Sequence, residues 1–112
     1  MVELDLPFPP SVNTYWRKYG NRIVLSKQAK EFKAAVMSRR AGKFGDKRLG
    51  VSITLHAPTK RKYDLDNRLK ALFDALQTAG VFDDDEQIDF INVQRGEIKK
   101  GGACVVKIWE VA

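Results

Sequence analysis

Val2, Leu4 and Leu6 alternate with acidic residues and then meet Pro7, Pro9 and Pro10, which predicts an opening strand stopped by residues that cannot continue a ladder. Residues 11 to 22, with Asn13, Tyr15, Trp16, Tyr19, Gly20 and Asn21, are expected to form a loop, followed by a short apolar stretch from Arg22 to Leu25. Ser26 is placed to cap a first helix over roughly 27 to 40, because Ala29, Phe32 and Val36 follow at helical spacing and Gly42 lies beyond its end. Val51, Ile53 and Leu55 alternate with Ser52, Thr54 and His56 and predict a second strand running towards Pro58. Leu69, Leu72, Phe73 and Leu76 fall at i, i+3, i+4 and i+7, the apolar stripe of a second helix over roughly 67 to 79. Asp66 or Asn67 can cap its start, and Gly80 suits the left-handed residue past its end. The acidic turn Asp83-Asp84-Asp85-Glu86 precedes a strand from Ile88 to Val93, and Lys99-Lys100-Gly101-Gly102 is expected to be a hairpin turn into a last strand, Ala103 to Val111. Together these elements predict an α+β fold in which two helices pack on one mixed, mainly antiparallel sheet whose strands are largely linked by hairpins.

A chain of 112 residues accommodates one core of ordinary size, so a single domain spanning 1–112 is expected. With 44% hydrophobic and 30% charged residues, the balance is that of a globular protein. No apolar run approaches the roughly 20 residues of a membrane helix, and the start lacks the basic then apolar order of a signal peptide, so a cytoplasmic location is expected. Cys104 is the only cysteine, which excludes an internal disulfide and a cysteine-rich zinc site; it is expected in a strand as a small hydrophobe. The lone His56 has no cysteine or second histidine with which to share zinc, and is expected on a strand face. A net charge of +6 favours a polyanionic partner, although basic surfaces also serve solubility alone.

The chemistry concentrates in Lys60-Arg61-Lys62-Tyr63-Asp64-Leu65-Asp66-Asn67-Arg68-Leu69-Lys70. If this segment is extended, Asp64 and Asp66 point to the same side as a carboxylate pair. Lys70, four residues on, stands one helical turn beyond Asp66. The acidic turn joins them only if the sheet register bridges the roughly 18 Å of the second helix. In that case Asp84 or Asp85 completes a set of three carboxylates that a cation must hold together, and Mg2+ suits an all-oxygen site beside a phosphate. Each part also has a plainer use: Asp66 as a cap, Lys70 as the partner of Asp66 or Asp74, residues 83 to 86 as a solvated turn. Lys60, Arg61 and Lys62 suit a phosphate clamp beside a metal, or a solvated loop. Tyr15, Trp16, Tyr19 and Tyr63 can stack on unpaired bases or pack. An EF-hand is excluded, because Arg68 occupies a ligand position of its loop and the required glycine is absent.

The segment Pro9-Pro10-Ser11-Val12-Asn13-Thr14-Tyr15, together with Asp64-Leu65-Asp66-Asn67, Lys70, Phe73-Asp74-Ala75-Leu76, Ala79-Gly80 and Asp84-Asp85-Glu86-Gln87, resembles in order and spacing the RusA family of Holliday-junction resolvases. The resemblance runs along nearly the whole chain. It implies a homodimer, a requirement for Mg2+ or Mn2+, and paired symmetric nicks in four-way DNA junctions. It implies Asp64, Asp66 and Asp85 as metal ligands and Lys70 as the catalytic lysine. Lys60, Arg61, Lys62, Asn13 and Tyr15 are the expected DNA contacts. The basic run is often richer in arginine in the family, and Asp83 adds a third acid to the turn, which leaves the third ligand open between Asp84 and Asp85. The competing readings are a non-catalytic basic DNA-binding module and a metal-dependent nuclease of flaps or RNA.

Overall fold

In the computed structural model, which describes residues 1–112, six strands and two helices follow one another: β1 (Val2–Leu6), β2 (Trp16–Tyr19), β3 (Arg22–Leu25), α1 (Lys27–Ser38), β4 (Leu49–His56), α2 (Leu69–Thr78), β5 (Ile88–Arg95) and β6 (Ala103–Glu110). Short 3-10 turns stand at Val12–Thr14, Asp66–Arg68 and Asp85–Gln87. The main sheet has the order β1-β6-β4-β5. β6 runs antiparallel to both β1 and β4, whereas β5 runs parallel to β4. That parallel pair is joined by α2, the long crossover that two parallel strands require. The α+β class and the mixed sheet are as expected.

Alternation decides which face meets the helices. Leu49, Val51, Ile53 and Leu55 of β4 join Leu4, Leu6, Cys104, Val106 and Ile108 from the flanking strands, and Phe32, Val36, Leu72 and Leu76 from the helices, in one cluster of 17 buried residues. Cys104 is fully buried, the small hydrophobe expected, and burial pushes its thiol pKa up to about 12. Ser26 caps α1 as predicted, accepting from the Ala29 N–H at 3.1 Å. Gly80 takes the left-handed conformation at φ 78° after α2.

Three expectations are corrected. First, residues 11 to 22 are not a plain loop: Trp16–Tyr19 pairs with Arg22–Leu25 in a separate two-stranded sheet. Gly20 at φ 61° supplies the positive dihedral of its two-residue turn. Second, Lys99 to Gly102 does not join hydrogen-bonded neighbours, since β6 lies on the far side of β4 from β5. Of the two, β6 carries the buried side chains, Cys104, Val106 and Ile108, and takes an interior position between β1 and β4, while β5, largely exposed, is left at the edge. Third, neither Asp66 nor Asn67 caps α2; a 3-10 turn leads into the helix, and the residue at its N-cap, Arg68, makes no side-chain cap bond. α1 ends at Ser38, close to the helix expected over roughly 27 to 40, with Gly42 beyond its end as expected and Arg40 at a positive φ of 50°.

Candidate functional site

Beyond the C-terminal end of β4 the chain borders an open cleft of about 570 Å³, walled by Lys60, Arg61, Lys62, Tyr63, Asp64 and Arg95 among others. The side chains of Lys60, Arg61 and Lys62 are exposed and enter no ion pair, so a row of free cations leads up to Asp64. Tyr63 fixes the end of that row. The Arg95 guanidinium lies 4.4 Å from its ring centroid and donates to its carbonyl at 2.8 Å. On its other contacts, Phe8 meets the Tyr63 ring edge to face at 5.3 Å, and Arg68 stands 4.9 Å from the Phe8 ring and 5.6 Å from that of Tyr63. Arg68 also donates to the Pro9 carbonyl at 2.9 Å, and burial lowers its pKa. The proline-rich segment and residues 63 to 68 are thereby clamped together. Sequence reasoning gave Phe8, Arg68 and Arg95 no part in this, and no local pattern could have, because the hydrogen bonds of Arg95 to Tyr63 and of Arg68 to Pro9 span 32 and 59 residues.

The Asp64 to Asp66 segment is not extended. Leu65 has helical dihedrals, φ −58° and ψ −43°, and the Asn67 N–H donates to the Asp64 carbonyl at 3.2 Å. Asp64 and Asp66 are therefore two exposed residues of one tight turn rather than neighbours on one side of a strand. Neither carboxylate accepts a hydrogen bond or pairs with a cation, so the capping use of Asp66 is not realised.

Lys70 follows on the first turn of α2, and its ammonium meets Asp74 Oδ1 at 3.2 Å. The other oxygen of Asp74 accepts from the Tyr15 hydroxyl at 2.8 Å. Tyr15 is fully buried, so its ring is not offered to bases; the expected contact with DNA is corrected to a support beneath Lys70. Burial first, and then the Asp74 carboxylate, hold the Tyr15 phenol well above its usual pKa. Asp74 was foreseen only as one possible partner of Lys70. Asn13 is exposed, as a DNA contact must be.

In the acidic turn the carboxylates are divided by use. Asp84 caps the 3-10 turn, accepting from the Glu86 N–H at 3.0 Å, while Gln87 Oε1 reaches back to the Asp84 N–H at 2.9 Å. Arg48 pairs with Glu86 and with Asp89, and its hydrogen bonds hold the Asp89 carboxyl below the usual range. Asp83 and Asp85 keep free side chains. The Asp85 N–H donates to Gln77 Oε1 at 3.3 Å, which places the residue beside the C-terminal end of α2. Asp64 and Asp66 stand at the other end of that 10-residue helix, roughly 15 Å long. The chain accordingly gathers no three acidic, histidine or cysteine side chains closely enough to hold a metal ion, and the expected union of Asp85 with Asp64 and Asp66 is not made within the chain.

Residues 7–108, which carry every part of this site, match the family model Endodeoxyribonuclease RusA. The chain belongs to the RusA family. The crossover junction endodeoxyribonuclease rusA of Enterobacteria phage HK97 is 40% identical over 110 residues, covering 95% of this chain and 92% of the relative. Those of Enterobacteria phage 82 and of Escherichia coli K12 are 34% and 33% identical over 112 residues, each covering 96% of this chain and 93% of the relative. The RusA relatives are thus named for the enzyme class expected from the sequence. No helix of this RusA-family chain is long and apolar enough to cross a membrane.

Proposed function

We propose that the chain is a homodimeric, Mg2+-dependent resolvase that cuts four-way DNA junctions by paired symmetric nicks, in the cytoplasm where that DNA lies, with Mn2+ as a substitute ion. One observation carries the reading. Asp64 and Asp66 are exposed and uncommitted directly after a row of free cations, and in the acidic turn Asp83 and Asp85 keep free side chains, whereas Asp74, Asp84, Glu86 and Asp89 are each engaged with a neighbouring residue. Unpaired carboxylates so close in sequence to a phosphate-binding row repel the substrate unless a cation joins them.

The donor set fits such an ion. Mg2+ takes one or two carboxylates together with waters and substrate phosphate, which Asp64 and Asp66 can supply. Asp85, rather than the capping Asp84, is the third ligand. When bound, the ion neutralises the phosphodiester and makes water a better nucleophile. Lys60, Arg61 and Lys62 hold the backbone beside the turn, Asn13 adds a polar contact, and Lys70, oriented by Asp74, stabilises charge on the scissile phosphate or the leaving oxygen.

The dimer brings Asp85 to the site. β5 is an eight-residue edge strand with Phe90 and Ile91 half-exposed on its two faces, an edge that soluble proteins cover or pair. Two-fold antiparallel pairing of two such edges sets the start of one β5 against the end of the other. Asp85 lies in the turn just before the start; the end carries Arg95, which holds Tyr63 beside Asp64.

Asp66→Asn tests the assignment, since it keeps size and capping ability while removing the charge that a metal needs. With a synthetic four-way junction and Mg2+, nicking is expected to fall roughly a hundred- to a thousandfold while junction affinity without metal is kept or increased. Near-normal nicking by Asp66→Asn would remove it from the catalytic set. Linear-duplex and flap substrates serve as controls for junction preference.

A further inference from the structure

Between Leu6 and Lys30 the chain carries five lysines or arginines and no acidic residue, so this stretch holds most of the net surplus of +6. Most of those cations stand on or beside the β2–β3 hairpin. The hairpin pairs only with itself, β2 is exposed at every position, and no residue of either strand is fully buried. A hairpin of two four-residue strands is marginally stable at best and here adds little to the core, so packing does not account for it.

Its cross-strand register does suggest a use. Arg17 lies opposite Val24 and Tyr19 opposite Arg22, which places all four on one face. With Lys27 and Lys30 at the start of α1 they line an open groove of about 410 Å³. Arg17, Arg22 and Lys30 make no ion pair, and Lys27 meets only Glu31, at 3.8 Å on the surface. The groove begins next to the reaction site: Tyr15, directly before β2, bonds to Asp74, which in turn holds Lys70.

We infer that the β2–β3 hairpin and the first turn of α1 form a second DNA-contact surface, separate from the Lys60-Arg61-Lys62 row, that receives the phosphate backbone of a duplex arm of the junction. Arg17, Arg22 and Lys30 meet phosphates, and Tyr19 with Val24 gives the sugars an apolar floor. The inference rests on the junction-resolving reading above. Two rows of cations on either side of the Asp64–Lys70 segment then fix the strand at two points, so that the scissile phosphate between them is held in register.

The test compares the wild-type chain with the triple variant Arg17→Ala, Arg22→Ala, Lys30→Ala, and with a control that loses the same charge elsewhere, Lys43→Ala, Lys47→Ala, Lys107→Ala. Affinity for a synthetic four-way junction is measured without metal over a salt series. The hairpin variant is expected to bind roughly tenfold or more weakly at low salt, and the slope of log affinity against log salt to become shallower by about two to three. A charge-keeping version, Arg17→Lys with Arg22→Lys, is expected to retain the slope, which separates loss of contact from loss of folding. An unchanged slope in the alanine variant, or an equal loss in the control, would overturn the hairpin surface while leaving the resolvase reading intact. A wild-type chain that neither binds nor nicks junctions overturns both.

Discussion

Asp74 illustrates how one residue ties packing to chemistry. Its pair with Lys70 places the acid C-terminal to the cation along the helix, the weaker of the two orientations, and an exposed pair of this kind contributes only about 0.2 to 0.5 kcal/mol. Yet Asp74 is the more sheltered partner, with 24% of its side chain exposed against 51% for Lys70, and a buried tyrosine holds its second oxygen. The carboxylate therefore aims the ammonium more than it stabilises the helix. Asp74→Asn retains an acceptor for the Tyr15 hydroxyl but not the charge that holds Lys70. We expect the nicking rate at saturating junction to fall by about ten- to a hundredfold, with affinity and urea midpoint little changed. Tyr15→Phe is expected to show the opposite balance: a stability loss of about 1 kcal/mol from the missing buried hydrogen bond, and a smaller loss of rate. Equal loss of stability in both variants would reduce Asp74 to a structural role.

At the scale of elements, the sequence revealed what periodicity encodes and concealed what depends on partners distant in the chain. Both helices, the Ser26 cap and the strands around Val51 to Leu55 and Ala103 onward were legible, because each shows its own period of apolar residues. The β2–β3 hairpin was hidden, since with no buried face its strands carry no alternation to detect. The separation of β5 from β6 was equally hidden: the two glycines at 101 and 102 do turn, but a turn does not reveal which neighbour the next strand will find. At the site, the residue types at Asp64, Asp66, Lys70 and Asp85 were evident, while the Tyr63 clamp and the sorting of the acidic turn into engaged and free carboxylates required tertiary contacts. Gly50 is a further element whose reason appears only in three dimensions. A Cβ there would stand 2.5 Å from the Trp109 ring, which lies across β4 and meets Phe90 at 5.8 Å. Gly50→Ala is expected to displace Trp109, lower stability by about 1 to 3 kcal/mol in urea unfolding and shift the tryptophan emission; an unchanged midpoint would show that the ring moves aside freely.

For the molecule as a whole, the proposed metal site raises the question of how a chain that gathers only two uncommitted carboxylates at the Asp64–Asp66 turn would obtain a third. Along α2 the distance to Asp85 is the length of the helix, and no side-chain rotation spans roughly 15 Å. The proposed pairing of two β5 edges would solve this by symmetry, because a two-fold axis would bring the partner's Asp85 towards each Asp64–Asp66 turn and give two equivalent sites, as paired symmetric nicks would require. A mixing experiment distinguishes this arrangement from a site made within one chain. Asp66→Asn and Asp85→Asn are each expected to be inactive alone. In a mixed dimer, a shared arrangement concentrates both defects in one site and leaves the other with all its native ligands, so equimolar mixing after exchange of subunits should restore single-strand nicking without paired resolution. A site contained in one chain leaves both halves of the mixed dimer defective and restores nothing. Recovery of nicks on one strand at a time, dependent on subunit exchange, is the expected result; complete inactivity of the exchanged mixture, with mixed dimers verified by mass, would refute the shared site.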